Sequence, residues 1–293
     1  MIFLAKKALL TGSTGGLGNQ ISRILAEDGW DLILLNRNKE QTEKQVSNLR
    51  NSHPNRSFDC FQVDLMDIES MRKVTQDIAA AHPQINGLYN VAGLLTDKRI
   101  ESPQGIEGHF ALNAVAPYML LQSLKMQLGA AASPQSPAFV ANFSSEVVKG
   151  IKSLAVDKLV NPDSIGGLND AYAKTKVALN VMACFLKEEL LRDNIYIYSV
   201  DPGATKTPMT SGNQGMPWFI RLLAPLLFGD PATQAQKLVD GIDKEMKSNN
   251  SGTFISNGKV KENPPVALNS QTQDDLRELL ERLIVQSRGQ TAF

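Results

Sequence analysis

The chain has 293 residues, 42% hydrophobic and 20% charged, enough to bury one large core and too apolar for a disordered chain. Thirty basic residues balance thirty acidic ones, so the formal net charge is zero and no basic surface for nucleic acid is expected. Short apolar runs alternate with longer amphipathic stretches from the first residues onward. Ala8–Thr11 reads as a strand and Gly16–Gly29 as a helix. Asp31–Leu35 is a continuous apolar run, as expected for a strand covered on both faces. The alternation continues with helix Lys39–Arg50, strand Phe58–Asp64, helix Ile68–Ala81 and strand Gly87–Asn90. It goes on through helix Gln104–Leu128, strand Ala138–Phe143, helix Asp170–Leu191 and strand Ile195–Val200. An irregular apolar segment follows, then a helix near Ala232–Met246, a short strand near Thr253–Ser256, and a polar tail at about 259–293. Ala131–Pro137 is a surface loop, too short for a domain hinge. This pattern predicts right-handed βαβ crossovers and an α/β, Rossmann-like, doubly wound parallel sheet with helices on both faces, as a single domain over residues 1–293.

Cys60 and Cys184 lie in apolar stretches and read as reduced, buried thiols. His53, His82 and His109 are scattered without ligand spacing, so no metal site is expected. No run reaches the roughly 18 apolar residues of a membrane span. The first residues run apolar then basic, the reverse of a secretory signal. A cytoplasmic protein with no membrane span is expected.

The first strand leads into a glycine loop, Gly12, Ser13, Thr14, Gly15, Gly16, Leu17 and Gly18, that opens the first helix. Glycines there permit a sharp turn and close approach of a pyrophosphate to the N–H groups of the helix N-terminus. The spacing is Gly-x-x-x-Gly-x-Gly rather than Gly-x-Gly-x-x-Gly. At the end of the second strand stand Asn36 and Arg37, where an NAD site usually has an acidic residue for the ribose hydroxyls. A guanidinium there can pair with a 2′-phosphate, so NADP(H) is the expected cofactor.

The loop and its spacing resemble those of the short-chain dehydrogenase/reductase family, and further matches follow in order along about two hundred residues. Asp64-Leu65 is similar to the family's adenine contact. Asn90-Val91-Ala92-Gly93 resembles its Asn-Asn-Ala-Gly motif, with Val91 in place of the second Asn. Asn113 matches the helix-borne Asn of the catalytic set, and Asn142-Phe143-Ser144-Ser145 the strand-end Ser pair, of which the second is usually catalytic. Tyr172 and Lys176 form a full Tyr-x-x-x-Lys, and Asp201-Pro202-Gly203-Ala204-Thr205 resembles the segment bordering the nicotinamide. The resemblance implies cofactor contacts from Gly12, Ser13, Thr14, Gly16, Leu17, Gly18, Asn36, Arg37, Asp64, Leu65, Asn90, Ala92, Gly93, Tyr172, Lys176, Pro202, Gly203 and Thr205. The catalytic set it implies is Asn113, Ser145, Tyr172 and Lys176. Ser145 and Tyr172 lie 27 positions apart, about twice the usual family gap. With the apolar stretch at 217–228, this points to the retinol-dehydrogenase-like branch.

Hydride transfer to a carbonyl builds charge on its oxygen, which needs a proton. Tyr172 and Lys176 project from one helix face at i and i+4. The Lys ammonium is expected to lower the phenol pKa from about 10 toward neutrality. Ser145 would hydrogen-bond the substrate oxygen. By resemblance, Lys176 would hold the nicotinamide ribose and Asn113 would anchor a water joining Lys176 to solvent. The expected partner is a small carbonyl or alcohol substrate, apolar in character, with the oligomeric state open between monomer and homo-oligomer. A non-catalytic NADP-binding sensor or scaffold on the same fold is the alternative. Residues at about 205–232 read as a substrate lid, with core packing and a subunit or membrane-surface contact as the other readings of 217–228.

Overall fold

The computed structural model describes residues 5–166, 170–205 and 229–286. Seven parallel strands run in chain order as β1 (Lys7–Thr11), β2 (Asp31–Asn36), β3 (Phe58–Gln62), β4 (Gly87–Asn90), β5 (Ala138–Phe143), β6 (Ile195–Asp201) and β7 (Thr253–Ser256). A short β8 (Lys259–Lys261) pairs antiparallel with β7. The sheet order is β3-β2-β1-β4-β5-β6-β7-β8, so the winding reverses between β1 and β4, where ligands of such sheets bind at the carboxyl ends.

The helices among the described residues are α1 (Gly16–Glu27), α2 (Lys39–Ser52), α3 (Ile68–Ala81), α4 (Ala116–Ala131), α5 (Ala171–Leu191), α6 (Pro231–Lys247) and α7 (Ser270–Gln286). The apolar strands explain their arrangement. Side chains alternate across the sheet, so Leu9, Ile33 and Leu35 join the core under α3, α4, α5 and α7. Ala8, Leu10, Leu32 and Leu34 join the opposite core with residues of α1, α2 and α6. A strand between two cores has no polar face, hence the continuous run. Caps fix the helix starts: the side chain of Asn38 accepts from the Gln41 N–H before α2, that of Asp67 from Glu69 before α3, and that of Asp230 from Thr233 before α6.

Two expectations need correction. The helix expected from Gln104 begins later. A single turn, Gly108–Phe110, leads into a wider π-type turn, Ala111–Val115, and only then into α4. The 259–293 stretch is no tail over its described part. Asn257 and Gly258, with φ of 50° and 71°, form the tight turn into β8, whose lysines guard the sheet edge. The α7 helix then buries Leu276, Leu279 and Leu280 in the core that also holds Val156 and Leu159 of the long stretch before α5. Arg277 holds it down, donating to the Phe185 carbonyl at 2.8 Å.

If α7 completes that core, Leu280→Ala should destabilise the protein by about 2–5 kcal/mol, whereas Ala at the exposed Leu268 should change stability by no more than about 0.5 kcal/mol. Denaturant unfolding of both variants checks it; equal small effects would mean that α7 only rests on the surface.

Candidate active site

The glycine loop lies at the winding reversal, with Thr11 beside Asn90 across the β1–β4 pair. Gly12 has φ +65°, and a Cβ on it would sit 2.9 Å from the backbone N of Ala92. A Cβ on Gly18 would collide with the Gly12 carbonyl. The two turns are thus pressed together with glycine as the only side chain that fits. Thr11 Oγ1 ties them, accepting from the Ala92 N–H at 3.1 Å. No side chain caps α1, so the N–H groups of its first turn remain available to an anion.

Ser13 turns inward rather than toward a ligand. Its hydroxyl donates to Gln45 Oε1 at 2.8 Å and accepts from Asn36 Nδ2 at 2.8 Å, while Gln45 Nε2 donates back to the Ser13 carbonyl at 3.0 Å. Leu17 and Leu65 are buried in the two cores. Thr14 and Gly16 are half-buried, and Arg37 and Asp64 are exposed at the ends of β2 and β3. Asn90 Nδ2 donates to Asn142 Oδ1 at 2.8 Å. Two buried amide oxygens, Asn36 Oδ1 and Asn90 Oδ1, have no protein partner; they sit at strand ends that flank the loop. Ala92 and Gly93 are half-buried beyond β4.

The second cluster grows from the end of β5. Ser144 donates its hydroxyl to Asn180 Oδ1 at 2.6 Å and its N–H to the Val200 carbonyl at 2.7 Å, so it ties β5, β6 and α5 together. Ser145, extended at φ −162°, is half-buried and hydrogen-bonds the Tyr172 phenol. Lys176 is buried, and its Nζ donates to the Phe143 carbonyl at 2.5 Å and lies 5.4 Å from the Tyr172 ring centroid. Tyr172, Lys176 and Ser145 therefore converge at one strand end, as expected.

Asn113 sits in the π-type turn. Its Oδ1 accepts from the Leu94 N–H at 2.7 Å, and its Nδ2 donates to the Leu94 carbonyl and to Thr175 Oγ1. The whole side chain is engaged in pinning the loop after β4 to α5, so a water held by Asn113 would have to use its backbone. Glu107 and His109 were not foreseen. His109 Nε2 accepts from the Thr96 N–H, so Nδ1 carries the proton and donates to Glu107 Oε1 at 2.8 Å. The imidazole stands edge-on to the Tyr172 ring, centroids 6.4 Å apart. The signals were present: His109 and Asn113 are four apart, as are Tyr172, Lys176 and Asn180.

Pro202 and Gly203 continue from β6, Gly203 at φ +79°, and Thr205 is buried with Oγ1 donating to the Gly203 carbonyl. Thr205 pairs with Gly229. The expected lid at about 205–232 lies, over 206–228, outside the described residues.

A family model, short chain dehydrogenase, matches residues 6–217. The chain belongs to the short-chain dehydrogenase family. Among curated relatives, a chloroplastic short-chain dehydrogenase, TIC 32 A of Brassica napus, is 29% identical over 207 residues, covering 68% of this chain and 64% of that protein. The chain thus spans about two thirds of the length of the plant relatives it matches. The polyprenol dehydrogenase of Danio rerio is 26% identical over 275 residues, covering 92% and 84%. Retinol dehydrogenase 12 of Bos taurus is 25% identical over 275 residues, and the chain is similar to such retinol dehydrogenases. Among solved structures, L-sorbose reductase of Gluconobacter frateurii with NADPH and L-sorbose superposes with a TM-score of 0.68 at 19% identity, covering 89% of this chain and 97% of that one. It shows the shared fold.

In this short-chain dehydrogenase the electrostatics overturn one expectation. The Tyr172 phenol is not lowered. Burial pushes it above its ordinary value, Asp201 adds to the rise, and only the Ser145 hydrogen bond opposes. The Lys176 amine, drawn to the Phe143 carbonyl, is itself brought down to about 8 by burial, against Asp201. Glu107 stays below the usual carboxylate range: burial pushes it up, but hydrogen bonds from His109 and Phe110 outweigh that.

A lysine with a folded pKa near 8 and an unfolded one near 10.5 has a definite linkage. Between these values the unfolded chain binds the proton and the folded one does not, so this group makes stability rise with pH. Unfolding free energies across that window should climb by a few kcal/mol, and Lys176→Met should flatten the climb and stabilise the protein at pH 7. A climb that persists in Lys176→Met would assign it to another group.

Proposed function

We propose that this short-chain dehydrogenase is an NADP(H)-dependent carbonyl reductase in which Tyr172 is the proton donor. The observation that carries the reading is the convergence of Ser145, Tyr172 and Lys176 at the end of β5, with only β4 between it and the strand that leads into the glycine loop. The residues fit the cofactor. Gly12 and Gly18 leave no room for side chains in the turn, α1 offers uncapped N–H groups, Asn36 and Asn90 hold buried oxygens without partners, and Arg37 is exposed at the end of β2. Bound there, NADPH supplies the hydride. The solved relatives with NADP or NADPH, and Arg37 in place of an acidic residue, support the choice over NADH.

In the direction of reduction, the raised phenol of Tyr172 is in the form the chemistry needs. A protonated, desolvated O–H beside a carbonyl oxygen donates as charge develops there, because an alkoxide is a far stronger base than a phenolate. Ser145, half-buried and hydrogen-bonded to the phenol, offers its hydroxyl to the same oxygen. Lys176 then meets the phenolate with its charge, while Asn113 bonds Thr175 on α5 and the His109 ring stands edge-on to Tyr172. Polyprenol and retinol dehydrogenases among the relatives support an apolar isoprenoid-like carbonyl as substrate.

Screening aldehydes and ketones with NADPH, by loss of the reduced-nicotinamide absorbance, tests the activity. Tyr172→Phe should lower turnover by roughly 10²–10⁴-fold with NADPH affinity unchanged; retention of most activity would rule out the phenol as donor.

Cofactor choice has its own outcome. NADPH should bind more tightly than NADH, and Arg37→Asp should weaken NADPH by about 2–3 kcal/mol, the scale of a lost charge-assisted hydrogen bond. Fluorescence titration measures it, and equal affinities in the unsubstituted protein would refute the role of Arg37.

A further inference from the structure

Three neighbouring strand ends carry a hydrogen-bond chain that the proposed reaction does not use. Asp201 ends β6 and pairs with Ser256 at the end of β7. The step before it, Val200, pairs with Phe143, whose carbonyl holds Lys176. Asp201 thus lies one strand spacing, about 4.8 Å, from the Ser144 backbone. Its Oδ1 accepts from the Gly203 N–H at 3.1 Å. Its Oδ2 is 2.9 Å from Ser256 Oγ, and that same Oγ is 3.0 Å from Glu146 Oε1. Ser256 is fully buried and Asp201 nearly so, whereas Glu146 is at the surface and paired with Lys149 at 2.7 Å.

Hydrogen counting decides the charge state. A serine hydroxyl has one hydrogen, and two ionised carboxylates have none. With both ionised, one of the two short contacts would set acceptor against acceptor inside the protein. One proton on either carboxyl satisfies both contacts, and the environments choose which. The Lys149 contact holds Glu146 below the usual carboxylate range, whereas burial pushes Asp201 above it, with Glu146 adding to the rise. The order is then Asp201 O–H to Ser256 Oγ, and Ser256 O–H to Glu146 carboxylate.

We infer that Asp201 rests as the neutral acid, and that its ionisation, governed from the surface through Ser256 and Glu146, sets the charge facing Tyr172 and Lys176. The groups that face it are Glu146 and Lys149 on the turn after β5, and Tyr172 and Lys176 on α5; Lys261 on β8 acts on Glu146. An ionised Asp201 opposes phenolate at Tyr172 and supports ammonium at Lys176, so a neutral Asp201 leaves the pair freer to exchange a proton. Asp201 is here a positioning residue, acting through charge. Its effect on rate rests on the reading of Tyr172 and Lys176 as the reacting pair; the proton count does not.

The test uses the full chain without ligand. Infrared difference spectra between the unsubstituted protein and Asp201→Asn should show a protonated-carboxyl band at neutral pH that the variant lacks. The Lys176 amine is followed by carbon NMR, assigned with Lys176→Met. Glu146→Gln gives the decisive sign. Simple loss of a negative charge would lower the Lys176 midpoint or leave it alone. Through the chain, the same substitution frees the Ser256 hydrogen for Asp201, Asp201 ionises, and the Lys176 midpoint rises by about one pH unit. The double variant with Asp201→Asn should show no rise. Ser256→Ala removes the bridge with little disturbance to the strand and should shift the infrared band's midpoint as well. A missing band, or a Lys176 midpoint that falls or stays in Glu146→Gln, overturns the inference. An active reductase without the band would refute this arrangement alone; the band and the rise in a protein inactive on every carbonyl would refute the reductase reading alone.

Discussion

Burying the Lys176 amine is the constraint around which the site is arranged. Taking an ammonium out of water costs several kcal/mol even after relaxation, and Lys176 is only 4% exposed. The offset comes from the Phe143 carbonyl at 2.5 Å and the face of Tyr172. Neither works unless α5 stays in place along its length. Fifteen of the helix's 21 residues are accordingly buried, an apolar helix packed from several sides. Ser144 and Asn180 clamp it to the β5 end, and Thr175 ties it to Asn113. The incomplete offset shows in the amine's lowered pKa, and a lysine poised near neutrality is one that can change charge during a reaction.

The same burial explains why the site reads differently from the sequence than from the structure. The order of strands and helices was legible because the strands between the two cores are largely apolar and most helices show a stripe. The loop glycines, Ser145, Tyr172 and Lys176 were legible because the chemistry restricts residue type and spacing. The tail was misread because α7 carries many charged residues and buries only Leu276, Leu279 and Leu280, a narrow stripe beside a wide polar face. The Asn257-Gly258 turn was a hairpin signal passed over, since β8 has only three residues and no buried side chain. The phenol's direction was wrong for another reason. Sequence spacing gives the presence of an ammonium nearby but not the desolvation of the phenol, and here desolvation is the larger influence.

Ser13 and Gln45 illustrate a second limit. A loop motif suggests that every polar residue in it faces a ligand, yet Ser13 is wholly enclosed and spends its hydroxyl on Asn36 and Gln45. Its contribution is to hold the glycine turn against β2 and α2, which keeps the backbone N–H groups aimed outward. Gln45, 32 residues away in the chain, carried no local sign of this. Asn113 is similar. The π-type turn widens the backbone by one residue before α4 and brings the amide across to the Leu94 backbone. Such turns recur at functional sites because they aim a side chain that a regular helix would direct elsewhere.

The parallel register links these local devices to Asp201. In a parallel ladder each strand end is fixed by its neighbour, and a slip of one residue would turn every side chain to the other face. Phe143 beside Val200, and Asp201 beside Ser256, therefore set which groups meet at the sheet's carboxyl edge. The carbonyl that holds Lys176 and the carboxyl that modulates it come from adjacent strands and cannot move independently. Ser256, on the next strand, then links the carboxyl to Glu146 on the turn after β5, a residue that water reaches. A charge at the reacting pair is thus coupled to the surface through backbone register and one bridging serine hydroxyl.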